Sequence, residues 1–125
     1  MSKREIVMKF LSIGLLWAAL CLAAAPEGKW VADAPGINGT LEKTIFDLYV
    51  QGEKITGSVV LANGTIYPVE RGAVKGDDVS FFITVKVDPD TKMTYAGKIA
   101  GQEIRFTHSM EGAGSKTEFV AKPLP

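Results

Sequence analysis

Residues 72–81 read "GAVKGDDVSF" and residues 97–106 read "GKIAGQEIRF". Both spell Gly, any residue, Val or Ile, any residue, Gly, two polar residues, Val or Ile, any residue, Phe. A weaker third copy, "VQGEKITG", covers residues 50–57. The shared glycines Gly52, Gly76 and Gly101 stand 24 and 25 residues apart, each beside polar residues and between two alternating apolar runs. That is the signature of a tight hairpin, in which glycine accepts the positive φ that the turn demands. A unit of about 24 residues holds two short strands and two turns; helical repeats need thirty or more.

Working outward from the first copy, Val79, Phe81, Ile83, Val85 and Val87 alternate with Ser80, Thr84, Lys86 and Asp88. Period-two patterning of this length predicts a half-buried strand. The same parity puts Phe46, Leu48 and Val50 inward, then Ile55, Gly57, Val59 and Leu61, then Met93, Tyr95, Gly97 and Ile99. It continues with Ile104, Phe106, His108 and Met110, then Thr117, Phe119 and Ala121. Further turns are written at Asn38-Gly39, Asn63-Gly64 and "DPDT" at 88–91, where Pro89 suits the second place of a turn. Eight strands follow, over residues 28–34, 40–51, 54–62, 65–75, 78–88, 92–100, 103–111 and 116–122. All connections are short, so the prediction is an all-β, eight-stranded antiparallel up-and-down meander closed into a barrel, with a two-sheet sandwich as the alternative. Pro68 cannot donate to a ladder, which predicts a break or bulge in the fourth strand, and Gly72 a kink in the same place.

The first 25 residues obey a different rule. "MSKREIVMK" carries Lys3, Arg4 and Lys9, and "FLSIGLLWAALCLAAA" then runs apolar into small residues. A basic start, a short apolar core and an Ala-rich exit predict a secretory signal peptide over 1–25, cut between Ala23 and Ala25, with the barrel domain over 26–125. The apolar run is shorter than the roughly 20 residues a membrane span needs. Cys21 follows the bulky Leu20, which speaks against lipid anchoring there. Removing Lys3, Arg4, Lys9 and Glu5 from 14 basic and 14 acidic residues leaves 11 and 13, a net charge of −2. That balance gives no electrostatic footprint for nucleic acid. Cys21 is the only cysteine, so residues 26–125 can form neither a disulfide nor a thiolate metal site. These features predict an exported bacterial protein, periplasmic or extracellular, with no membrane span after cleavage.

Near the start of the domain stands "GKW" (Gly28, Lys29, Trp30), and near its end "FVAKP", with Lys122 after the last strand. In these motifs the chain resembles the calycin group of barrels, the lipocalins and avidins, and nearby small periplasmic inhibitor barrels. The resemblance implies that Trp30 and Lys122 are structural residues, the basic side chain covering the Trp at the barrel's closed end. Lys replaces the more usual Arg, and Trp30 alone does not supply avidin's several pocket tryptophans. The chain is also similar to small secreted bacterial domains with the layout "GKW … G-x-V-x-G-D-x-I-x-F … F-x-A-K", a resemblance that implies no activity.

No catalytic motif is written here. His108 is the only histidine, with no Ser/His/Asp arrangement around it, and one histidine without cysteine predicts no metal centre and no cofactor. The acids Asp77, Asp78, Asp88 and Asp90 sit in turns at no calcium-loop spacing. The sequons at Asn38 and Asn63 are equally hairpin turns. Two non-enzymatic readings remain. In the first, the barrel holds a small apolar or amphipathic ligand lined by Phe46, Tyr95, Phe106, His108 and Met110, with Gly57, Gly97 and Ala121 leaving it room. In the second, the core is solid and the chain is an interaction or inhibitor module of the envelope. It would meet a protein partner through the outward apolar residues Ile45, Tyr49 and Phe82, beside Val60.

Overall fold

The computed structural model describes residues 26–87 and 89–125. The segment 1–25, with Cys21 and the expected cleavage site, lies outside the described residues, as does Asp88 of the "DPDT" turn. Alternation is realised as nine strands: β1 (Gly28–Pro35), β2 (Leu41–Gln51), β3 (Lys54–Val60), β4 (Ile66–Pro68), β5 (Glu70–Lys75), β6 (Asp78–Val85), β7 (Thr91–Ala100), β8 (Glu103–Met110) and β9 (Lys116–Pro123). All pairings are antiparallel. The ladder runs β2-β1-β9-β8-β7-β6-β5-β3-β4, and β2 also pairs with β3, which closes the sheet on itself. The predicted barrel therefore forms, and continuous hydrogen bonding around the wall excludes the sandwich. No helix occurs among the described residues.

Nine strands make eight staves because β4 and β5 are two halves of the fourth. The break follows Pro68, which has no N–H to offer; Val69 instead donates to the Gly57 carbonyl at 2.9 Å. The β3 register shows one added residue: Ser58 faces Pro68, while Ile55 faces Gly72. A second irregularity lies between Glu70 and Ala73 against β6, where Arg71 takes a φ of +49°. This is a bulge, placed where proline interrupts the ladder.

The repeated motif in the sequence is one end of the barrel. Gln51 faces Lys54, Lys75 faces Asp78, and Ala100 faces Glu103, each pair joined by two residues. The first of the two is Gly52, Gly76 or Gly101, with φ of +65°, +61° and +65°, while the second is not among the positive-φ residues. Positive φ at the first central position alone describes a type II′ turn, whose twist matches that of the flanking strands. At the other end the connections begin at Gly36, Leu61, Lys86 and Glu111, in steps of 25. Two of these loops share one hydrogen-bond plan. Gly39 N–H donates to the Gly36 carbonyl (2.9 Å) and Gly36 N–H to Thr40; Gly64 N–H donates to the Leu61 carbonyl (2.8 Å) and Leu61 N–H to Thr65.

Inward positions follow the predicted parity. Phe46, Leu48, Val59, Ile83, Met93, Tyr95 and Ile104 are all buried, with Val79, Phe81, Val85, Phe106 and Ala121. Val87 departs from it: the strand ends at Val85, and Val87 is exposed.

Candidate functional site

The interior is organised around aromatic rings delivered by five staves: Phe46 from β2, Phe81 from β6, Tyr95 from β7, Phe106 from β8 and Phe119 from β9. Phe46 lies 5.4 Å from Tyr95, 5.3 Å from Phe106, 6.0 Å from Phe119 and 6.2 Å from Phe81, centroid to centroid. Phe81 stacks on Tyr95 at 5.2 Å, and Phe106 on Phe119 at 5.3 Å. These separations are those of rings in direct contact, alternately edge-on and offset-stacked. Four of the five candidate lining residues (Phe46, Tyr95, Phe106 and His108) are thus buried against one another or against neighbouring rings. The fifth, Met110, is half-buried at the long-loop end, where its register partner is Met93.

The two inward glycines leave no open room either. A Cβ on Gly97 would come within 2.7 Å of the Phe106 ring and 2.9 Å of Ile104, so that side chains occupy the room this glycine leaves. Gly97 and Phe106 are direct register partners. At Gly57 a Cβ would collide with the Asp47 carbonyl, and φ is +128°. That glycine permits a close backbone approach between β2 and β3 and opens no space.

Two polar atoms stand inside this apolar packing. Tyr95 Oη and His108 Nε2 are buried without a protein hydrogen-bond partner among the described residues. The two residues are paired across β7 and β8, with ring centroids 5.1 Å apart. Burial holds the His108 pKa below its ordinary 6.5 and drives that of Tyr95 above its ordinary 10.0. Both groups are therefore kept neutral in the folded barrel at pH 7. Thr44, also fully buried, donates to the Glu42 carbonyl at 3.0 Å. Among the described residues no three His, Cys, Asp or Glu side chains come together to hold a metal ion.

Trp30 seals the end of the barrel that carries the tight turns, buried, its indole N–H donating to the Pro26 carbonyl at 2.8 Å. Lys122 does not cover it. Trp30 is the register partner of Pro123, whereas Lys122 is opposite Val31 and so shares the outer parity, its Nζ 3.9 Å from Glu103 Oε2. The cation-over-ring contact implied by the calycin resemblance is replaced by this outer pairing. A cation does lie over a ring elsewhere: Lys92 Nζ sits 4.6 Å from the centroid of Phe82.

The outer face separates the residues expected to form a patch. Ile45 and Val60 are direct partners across β2 and β3. Tyr49 stands further along β2, its hydroxyl donating to Asp47 Oδ2 at 3.4 Å. Phe82 lies on β6, between Glu70 and Thr94 and beneath Lys92, with β3 and the β4–β5 stave between it and Ile45. What sequence reasoning missed is the row that Ile45 and Val60 belong to. Val31 faces Ile45, Ile45 faces Val60 and Val60 faces Ile66, an apolar line crossing four strands. Turn geometry carried part of the signal, because a two-residue turn at Gly52-Glu53 by itself sets Ile45 opposite Val60.

Fold and interior together define a small closed antiparallel β-barrel with an aromatic core whose rings are in mutual contact. No family model matches the chain, and no curated protein or solved structure matches it either.

Proposed function

We propose that this chain is an exported, non-catalytic β-barrel that serves as a protein-interaction module, its core solid and its working surface outside. The observation that carries the reading is the ring cluster: Phe46 touches Phe81, Tyr95, Phe106 and Phe119 at centroid separations of 5.3–6.2 Å, the spacing of a packed interior. A container needs its lining residues to face a gap, and here four of the five, all but Met110, pack against one another or neighbouring rings. Export rests on the basic-then-apolar pattern of residues 1–25. Titration of the purified protein with N-phenyl-1-naphthylamine and with a long-chain fatty acid tests the reading. Absence of saturable binding is expected; one-to-one binding that quenches Trp30 would replace the module with a container.

One observation favours that container. Tyr95 Oη and His108 Nε2 form a buried polar pair toward the long-loop end, and a small amphipathic guest with a polar group could satisfy both. If this reading holds, His108→Phe abolishes the one-to-one binding just described while leaving the fold intact.

A further inference from the structure

We infer that the outer face of β1–β4 binds a second copy of this chain, an inference that rests on the interaction-module reading and names its partner. The apolar row Val31–Ile45–Val60–Ile66 crosses four strands by direct register. At about 4.8 Å between neighbours it spans about 14 Å. Ile66 is 65% exposed, and Val31, Ile45 and Val60 are half-buried; charged residues flank the row on β1 and β2, and Ser58 and Pro68 flank it on β3 and β4.

The charges on either side of the row specify the partner. Toward the tight-turn end, Lys29 on β1 faces Asp47 on β2; toward the long-loop end, Asp33 on β1 faces Lys43 on β2. The signs alternate around Val31 and Ile45 as on a two-by-two chequerboard. None of these four side chains takes part in the ion pairs found among the described residues, which join Lys86 to Asp90, Lys98 to Asp78, and both Arg105 and Lys122 to Glu103.

A chequerboard is self-complementary. A two-fold axis lying along the apolar row brings each apolar residue onto its own counterpart and exchanges the two charged rows. Lys29 then meets the partner's Asp33, and Asp47 meets the partner's Lys43. An isologous interface requires this kind of match, with one patch complementary to itself. The four charges flanking the row cancel, and Lys122, which continues the row on β9, is paired with Glu103, so the patch offers little to a surface of a single sign, such as an anionic membrane or a nucleic acid. It is small beside the roughly 800 Å² per partner of a standard interface, which makes the dimer a reversible, concentration-dependent one.

Sedimentation velocity over a concentration series, on the chain as purified from cells, tests this. A monomer–dimer equilibrium is expected. Lys43→Glu and Asp47→Lys, each on its own, weaken association about tenfold or more, because each places like charges face to face across the axis. An equimolar mixture of the two variants restores it, since the carboxylate introduced at position 43 of one chain meets the ammonium introduced at position 47 of the other. Both positions point away from the core, and unchanged circular dichroism confirms that each variant is folded. A wild type that stays monomeric throughout the series would overturn the inference, and so would a mixture that fails to recover. Neither result touches the filled core, which the ligand titration tests separately.

Discussion

His108 and Tyr95 make the interior of this barrel sensitive to pH in two directions. Burial lowers the pKa of His108 in the folded state, whereas the unfolded chain takes up a proton near 6.5. Below that value the unfolded state binds more protons than the folded one, so stability is intact above about pH 6.5 and falls as the solution becomes more acid. Burial raises the pKa of Tyr95 above 10.0, so the unfolded chain loses its phenolic proton first and stability also falls at strongly alkaline pH. Melting curves of wild type and His108→Phe between neutral and mildly acid pH are expected to diverge as pH drops, the variant losing less. Curves that stay parallel would mean that His108 titrates alike in both states. The Tyr95 hydroxyl adds a static effect. Buried without a protein partner among the described residues, it carries a desolvation penalty that Tyr95→Phe removes while keeping the ring, and urea denaturation should show a gain of about 1 kcal/mol. A loss of that size instead would show the hydroxyl to be hydrogen-bonded in solution.

At the scale of strands and turns, glycines that look alike in sequence have opposite roles. Gly57 and Gly97 both take inward parity, but Gly57 faces a backbone carbonyl at a φ of +128°, whereas Gly97 faces side-chain atoms of Phe106 and Ile104. Gly57→Ala is therefore expected to cost more than 3 kcal/mol, through strain and collision with backbone. Gly97→Ala should cost about 1–3 kcal/mol as Phe106 and Ile104 give way. Urea midpoints measured on both variants would check the order, and an equal loss would refute the distinction. The same pair marks the limit of what the sequence discloses. Parity, the Gly52/Gly76/Gly101 turns and the Pro68 break were all legible, because each follows from local backbone chemistry. What fills the place of an absent Cβ was not: the Gly101-Gln102 turn sets Gly97 opposite Phe106, but the lean of the Phe106 ring and the Ile104 methyl over Gly97 is decided by packing across the barrel. Lys122 teaches the same lesson: the motif "FVAKP" suggests a cover for Trp30, but the register puts Lys122 opposite Val31. The apolar row stayed hidden because Ile66 joins it only after the 61–65 loop has set its own register.

For the whole molecule, closure rests on the least extensive seam. β1 meets β9 in two register pairs, Trp30 with Pro123 and Val31 with Lys122, extended by one hydrogen bond from Leu124 N–H to the Lys29 carbonyl at 2.8 Å. By contrast β6 meets β7, and β7 meets β8, in eight pairs each. The chain's last residues thus join its first strand and cover the end that Trp30 seals; Pro123 and Leu124 line the cleft of about 410 Å³ beside Trp30. Opening this seam would create two free edges and let water reach the indole, while the β6–β8 staves keep their mutual ladders. Local opening of this kind has its own free energy, below that of global unfolding, so amides along the seam should exchange with solvent sooner than those of β7. Deleting residues 122–125 makes the opening permanent. Trp30 is the only tryptophan of residues 26–125, so in a chain of those residues its emission should move to longer wavelength and become accessible to iodide while much of the β circular dichroism persists. If the truncated chain kept a shielded Trp30, closure would have to come from the inward packing of Phe119 and Ala121 and not from the terminal strand pairing.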